Sequence, residues 1–370
     1  MKKYIFILLA LITGAGCHAQ RHLGGDISLL PTYMANGTEF KTNDGKTACP
    51  YDIFKESGWN AMRVRLFVNP DNAPQDNKDE GVCQDLGYVI NLCKQIKKHD
   101  FKLMLDFHYS DTWADPGKQF TPKSWDEAIK GKSRDEQIRM LADSVYNHTY
   151  NSLAALKAAG ATPDLIQVGN EITFGTLWPT GKVDPTKDDN WDTLLTFLRA
   201  GVKACREACP EAQIIIHTEH AQDWAATGGY YDKLKKGGLD YDIIGLSYYP
   251  MWHGTVDHLG VVLDSIRTEF DKPVMIVETA FYYSHKNDKW ATDPNKDGDT
   301  YPITVEGQRR FTEELVTMLN RHDNVTGLFW WFPEENESGR PVIKSWINRG
   351  LFDNETGKAL PAMEELKEFK

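Results

Sequence analysis

Eight short apolar runs, each followed by a helical pattern, constrain this 370-residue chain more than any other feature. The runs cover 25–30, 60–68, 101–109, 165–170, 213–217, 241–248, 273–278 and 325–331, and they are close to continuously hydrophobic, as in Ile214-Ile215-Ile216. Strands that are apolar on both faces belong in a parallel sheet covered on both sides. The helical patterns fall at 51–57, 84–98, 133–159, 188–208, 224–236, 256–269, 306–321 and 360–369. Alternation of this kind implies parallel strands joined by crossover helices. Eight of each predicts an α/β chain closed into a single-domain (β/α)8 TIM barrel over 20–370. An open doubly wound sheet is the other arrangement, but no GxGxxG motif and no phosphate-binding loop follows a strand.

The first 19 residues stand apart from this pattern. Lys2 and Lys3 precede an apolar stretch from Tyr4 to Ile12, which reads as an export signal. Nine apolar residues are too few to cross about 30 Å of hydrocarbon as a helix. Ala15-Gly16-Cys17 resembles the bacterial lipoprotein-processing box, which makes Cys17 a lipidated first residue and attaches the protein to the outer membrane or cell surface. That box prefers an aliphatic residue where Gly14 stands, and cleavage after Ala19 to give a periplasmic or secreted protein is the competing reading. Both readings place 20–370 outside the cytoplasm.

Five cysteines follow the leader, Cys49, Cys83, Cys93, Cys205 and Cys209, an odd number for an oxidising compartment. Cys49 and Cys83 lie in polar loop sequence and are the preferred disulfide pair, whereas Cys205 and Cys209 sit on one helix and need a distorted turn to bridge. No spacing fits a zinc pattern. A formal charge of −11, with no run of basic residues, excludes a nucleic-acid backbone as partner and leaves a neutral polymer open.

In a barrel of this class the chemistry sits at the C-terminal ends of the strands. Those ends are polar here: Arg63 and Arg65 share one face of the second strand, and the third ends Asp106-Phe107-His108-Tyr109. The fourth ends Asn170-Glu171, the sixth Ser247-Tyr248-Tyr249, the seventh Glu278 and the eighth Trp330-Trp331. Glu171 and Glu278 each terminate an apolar strand. A single strand-end glutamate is equally well read as a salt-bridge partner of Arg63 or Arg65. Two facing carboxylates, however, are the working pair of glycosidases, one giving a proton and the other attacking the anomeric carbon.

Asn170-Glu171 and Glu278 resemble the pattern of clan A glycoside hydrolases. His108-Tyr109-Ser110-Asp111-Thr112-Trp113-Ala114-Asp115-Pro116-Gly117-Lys118-Gln119 narrows the resemblance to family 53, the endo-β-1,4-galactanases. Gly24-Gly25-Asp26-Ile27-Ser28, the Met62–Pro70 stretch, Ser247-Tyr248-Tyr249-Pro250 and Phe329-Trp330-Trp331 are similar to that family too. The resemblance implies Glu171 as acid/base, Glu278 as nucleophile and Asn170 as the partner of the sugar 2-hydroxyl. It further implies Arg63 near the nucleophile, His108 in the site wall, Tyr249 orienting Glu278 and Trp331 as the platform of the −1 subsite; Tyr248, adjacent to Tyr249, leaves that assignment open. The substrate implied is β-1,4-galactan, including type I arabinogalactan side chains of pectin.

Among eleven tryptophans, Trp113, Trp178, Trp224 and Trp252 fall just beyond strand ends, where indoles stack on sugar rings or simply plug loops. Trp113 and Trp252 are the preferred sugar contacts, and Arg65 joins Arg63 as a substrate-binding candidate. Two rivals share parts of this pattern: another clan A hydrolase of glucan or mannan, and a non-catalytic glycan-binding barrel, which has no need of both glutamates. No cofactor is needed for the chemistry. Asp293, Asn295, Asp297 and Asp299 alternate as oxygen ligands do in calcium loops, with Gly298 for a turn, but Thr304 stands where such a loop carries glutamate. A structural calcium ion is the expectation and a solvated acidic loop the alternative. If calcium binds, adding it raises the melting temperature and the Asp293→Ala/Asp297→Ala variant loses that rise; unchanged melting on chelation leaves only an acidic turn.

Overall fold

Inward and outward side chains alternate along each strand, so residues two apart share a face. The computed structural model of the chain describes residues 21–286 and 301–370, and in it this alternation builds a closed barrel. The strands are β1 (His22–Asp26), β2 (Ala61–Leu66), β3 (Lys102–Phe107), β4 (Leu165–Val168), β5 (Gln213–Thr218), β6 (Ile243–Tyr248), β7 (Val274–Thr279) and β8 (Val325–Trp331). All pair in parallel and in chain order, and β8 returns to pair with β1. The larger crossover helices are α1 (Pro50–Glu56), α2 (Leu86–Lys98), α3 (Arg134–Ala158), α4 (Trp191–Ala208), α5 (Trp224–Lys236), α6 (Val256–Glu269) and α7 (Val305–Leu319), followed by a short α8 (Ala362–Leu366). Residues 1–20, which include the expected leader and Cys17, lie outside the described residues, as do the expected calcium ligands Asp293, Asn295, Asp297 and Asp299.

The barrel interior is layered. Ala61, Met104, Leu165, Ile215, Ile243, Met275, Val277 and Phe329 form a separate buried apolar cluster. Two residues further along the same strands stand Arg63, Asp106, Gln167 and His217, all buried, so one interior face changes from apolar to ionic within one pleat. Parity alone carries this face of β7 from Met275 through Val277 to Thr279. A register shift against β6 breaks it: Ile276 faces Leu246, but Glu278 faces Ser247. This irregularity adds one residue to β7 and turns the Glu278 side inward.

Helix starts follow local chemistry. Ser133 and Glu136 form a capping box at α3, while Asp85, Asp223, Thr255 and Thr304 accept backbone N–H groups at the starts of α2, α5, α6 and α7. Two sequence expectations need correction. The first strand lies at His22–Asp26 rather than 25–30, because the chain leaves the sheet there: Leu29 N–H donates to buried Glu334 Oε1 at 2.9 Å and a short helix, Leu30–Ala35, begins. The Cys49–Cys83 bridge does not form, since all five described cysteines are free. Cys49 stands at the start of α1 beside Asp52 and His99, whereas the Cys83 sulfur lies against Gln84 Nε2 at 3.3 Å. Cys205 and Cys209 also remain thiols, and the Cys209 N–H closes α4 on the Cys205 carbonyl at 2.8 Å.

Gly24 shows how closely β1 and β2 approach: a Cβ there would lie 1.9 Å from the Ala61 carbonyl oxygen. Gly24→Ala is therefore expected to cost about 3 kcal/mol or more through overpacking, read as a lower urea midpoint. An unchanged midpoint would contradict this closure of the barrel.

Candidate active site

The interior ionic layer is organised around one guanidinium. Arg63 is 1% exposed; its Nη1 donates to Asp26 Oδ2 at 2.8 Å, and its Nη2 reaches Asp106 Oδ2, Asn170 Oδ1 and Glu278 Oε1, each at 2.8 Å. Its Nε donates to Gln167 Oε1 at 3.3 Å. Five strands, β1, β2, β3, β4 and β7, and the turn after β4 thus meet on one cation. Asn170 is fixed from the other side, where Nδ2 donates to the Ala114 carbonyl at 2.8 Å. His108 accepts the Ala114 N–H on Nδ1 at 3.1 Å and so presents its Nε2 hydrogen to Asp106 Oδ2, also at 3.1 Å.

Glu278 uses both carboxylate oxygens on donors, because the Tyr249 hydroxyl gives its proton to Oε2 at 2.9 Å. This decides between the two adjacent tyrosines. Tyr248 turns outward and its hydroxyl donates to the Gly254 carbonyl at 2.8 Å.

Glu171 sits in a sharper place. Its φ of +49° is a left-handed conformation costing a branched or long residue of order 1–3 kcal/mol, and the turn is held because Ile172 N–H donates to the His217 carbonyl at 3.0 Å. Glu171 Oε1 accepts from the Ser247 hydroxyl at 2.7 Å, and Ser247 Oγ lies 2.8 Å from His217 Nε2. A serine that gives its own proton to Glu171 must accept one from His217, which leaves His217 Nδ1 to accept from Gln167 Nε2 at 2.9 Å. Burial and the nearby Arg63 charge keep His217 neutral by lowering its pKa well below the usual value. Glu171 therefore receives neutral hydrogen bonds where Glu278 receives a cation.

The electrostatic consequence differs between the two acids. Burial raises the Glu171 pKa well above the carboxylate range, and the charges of Glu278 and Glu219 raise it further against the single Ser247 bond. Burial, with the charges of Asp106 and Asp26, also pushes Glu278 up, but Arg63 and the Tyr249 hydroxyl oppose that shift and hold it to a smaller rise. Of the two, Glu171 is therefore shifted further towards its protonated form.

Both glutamates line a cavity of about 340 Å³ at the C-terminal mouth of the barrel. Asn170, His108, Tyr249, Trp331, Trp113 and Trp252 line it as well, so the structure gathers nearly all residues singled out by sequence. Trp252 is 44% exposed and offers the most open indole face on the wall. There are two exceptions among the expected sugar contacts: Arg63, which lies beneath the cavity and meets it through Glu278 and Asn170, and Arg65, which is fully buried, pairs with Asp26 Oδ1 at 2.9 Å and is sealed between the rings of Trp113 and Phe332, each 4.7 Å away. Arg65 supports the wall and does not reach the cavity. Trp178 and Trp224 do not line the cavity either: the Trp178 indole N–H donates to the Phe174 carbonyl at 2.9 Å and Trp224 packs on Phe270.

Sequence reasoning missed Asp26, Gln167, Glu219, His220, Trp346 and Arg349 as parts of this site. The first two were accessible through parity, since each sits on the inward face of its strand. The guanidinium of Arg349, 1% exposed, stacks 4.4 Å from the Trp331 ring and 4.8 Å from that of Trp346, a loop arrangement with no local sequence signal.

Comparison with known proteins agrees with this geometry. The sequence pattern described as Glycosyl hydrolase family 53 matches residues 22–366. The endo-β-1,4-galactanase of Bacillus subtilis is 30% identical over 318 residues, covering 84% of this chain and 69% of that protein. The arabinogalactan endo-β-1,4-galactanase of Thermothelomyces thermophilus is 29% identical over 323 residues, covering 85% and 90%. Among solved structures, the GH53 catalytic domain of Ignisphaera aggregans superposes with a TM-score of 0.81 at 30% identity, covering 96% of this chain and 98% of that one. A barrel with paired glutamates at β4 and β7 and a family pattern spanning nearly all described residues lead to one assignment: the chain belongs to glycosyl hydrolase family 53.

Proposed function

We propose that this protein is a retaining endo-β-1,4-galactanase that cuts galactan and type I arabinogalactan side chains, with Glu171 as acid/base and Glu278 as nucleophile. The observation that carries the reading is the unequal provisioning of the two carboxylates. Glu278 has Arg63 on one oxygen and a tyrosine hydroxyl on the other, which favours an oriented, ionised carboxylate. Glu171 has a neutral serine on Oε1 and, among the described residues, no cation paired with it, which favours a protonated acid. In the first step the Glu171 proton passes to the glycosidic oxygen while a Glu278 oxygen bonds to the anomeric carbon and the leaving sugar departs. The loss of charge on Glu278 then lowers the proton affinity of Glu171. Glu171 next takes a proton from water, whose oxygen attacks the same carbon and releases Glu278 as carboxylate.

The remaining lining residues bind the sugar. Trp331 serves as platform at the attacked ring, Trp113 and Trp252 offer further indole faces, and the second Nδ2 hydrogen of Asn170 reaches the 2-hydroxyl. A polymer of galactose is met outside the cell, in keeping with the leader at 1–19. The similarity to named galactanases supports galactose over glucose or mannose, and a panel of galactan, glucan and mannan with products resolved by size tests that choice.

Glu171→Gln and Glu278→Gln are each expected to lower the rate on galactan by about 10²-fold or more with the fold retained, the melting temperature staying close to the parent's in Glu171→Gln and falling in Glu278→Gln, where Arg63 loses one charged partner. More than about a tenth of parental activity in either would overturn the assignment. Azide distinguishes the roles, restoring an inverted product to Glu278→Ala and a retained product to Glu171→Ala; exchanged outcomes exchange the residues. The charge coupling has its own readout. In Glu278→Gln the Glu171 titration, followed by ¹³C NMR of labelled glutamate, moves to lower pH because a repelling charge is gone, and an unmoved titration would contradict the coupling.

A further inference from the structure

The residues around the two glutamates divide by side. Arg63 and Tyr249 hold Glu278, with Trp331 and Arg349 on the adjoining wall. Ser247, His217 and the loop after β5 surround Glu171. In a displacement the attacking and leaving oxygens stand on opposite sides of the anomeric carbon, and the acid protonates the oxygen that bridges to the departing sugar. That sugar therefore starts on the Glu171 side. Glu219, whose charge acts on Glu171, lines the cavity together with its neighbours His220 and Gln222.

These residues form an ordered unit. Glu219 is 2% exposed, and both its oxygens are engaged: Oε2 accepts from the Thr173 hydroxyl at 2.9 Å and Oε1 lies 2.8 Å from His220 Nδ1. The carboxylate thus holds the Nδ1 hydrogen of His220, while the edge of Phe174, 5.0 Å from the imidazole centroid, restrains the ring. Among the described residues no group is bonded to His220 Nε2, and the imidazole lines the cavity. A buried carboxylate behind a partly exposed imidazole fixes both tautomer and aim, the arrangement that presents one ring nitrogen to a ligand. Nε2 accepts a hydroxyl hydrogen when His220 is neutral and donates to a hydroxyl oxygen when it is protonated.

We propose that His220 and Gln222 form the subsite for the leaving-group sugar, with His220 Nε2 bonding one of its hydroxyls and Glu219 acting as the positioning residue behind the imidazole. This assignment rests on the galactanase reading and adds to it the residues that recognise the departing half of the chain.

The test compares two substrates that both require the proton of Glu171. β-1,4-Galactotetraose departs as a sugar, whereas phenyl β-1,4-galactobioside departs as phenol, which needs protonation yet carries no hydroxyls for the subsite. The measured quantity is kcat/KM on the first divided by kcat/KM on the second, for the parent, His220→Ala and Gln222→Ala. His220→Ala is expected to lower this ratio at least tenfold and Gln222→Ala to lower it in the same direction. Equal losses on both substrates would overturn the proposal, since His220 would then act through Glu171 or the fold. A ratio unchanged in both variants would overturn it as well. A parent inert on both galactosides defeats the substrate reading itself and this assignment with it, an outcome distinct from a parent that is active and insensitive to His220.

Discussion

The site depends on a guanidinium buried in the barrel. Arg63 pairs with Asp26, Asp106 and Glu278 at once, Arg65 sharing Asp26, and it also donates to the amide oxygens of Asn170 and Gln167. Three carboxylates inside one barrel would be prohibitive without it, because removing one partner of a buried ion pair costs about 3–5 kcal/mol and strands the others. The same cation favours the ionised form of Glu278, which it touches at 2.8 Å. Charge placed for stability on the β1–β3 side becomes charge placed for chemistry at β7, so scaffold and site cannot be separated energetically.

Around this centre the barrel is a graded interior. An apolar plug occupies the lower layer, the Arg63 network the next, and the cavity with its aromatic wall lies above. Two departures from regular geometry deliver the glutamates. Glu171 adopts a left-handed conformation in the turn after β4, and Glu278 is turned inward by the register shift against β6. Both are local costs borne by neighbouring hydrogen bonds, as expected where a side chain must face a reaction rather than a core.

Much of this was readable from the chain. Near-continuous apolar runs such as Ile214-Ile215-Ile216 predict a covered parallel sheet, and polar residues at their C-terminal ends mark the mouth. Glu171, Glu278, Asn170, His108, Tyr249 and Trp331 follow from those ends together with the family resemblance. What could not be read has a physical reason in each case. Arg63 and Arg65 share a face, yet only Arg63 meets Glu278, because Trp113 and Phe332 close over Arg65. The inward turn of Glu278 requires a shift between strands that no single strand encodes. Glu219 and His220 are neighbours in sequence whose joint role appears only once the β5 loop stands beside Glu171. The free thiols of Cys49 and Cys83 reflect the separate surroundings of the α1 start and the loop before α2, which loop polarity does not report.

The central claim is that Arg63 and Tyr249 prepare Glu278 to form the bond to sugar. The most direct measurement is trapping with a 2-deoxy-2-fluoro-β-1,4-galactobioside bearing an activated leaving group, followed by mass spectrometry of the digested enzyme. The fluorine slows release of the covalent intermediate more than an activated leaving group slows its formation, so the adduct accumulates on the nucleophile. The account predicts one adduct, in the peptide holding Glu278. An adduct on Glu171, or turnover of the reagent with inversion and no adduct, would contradict it.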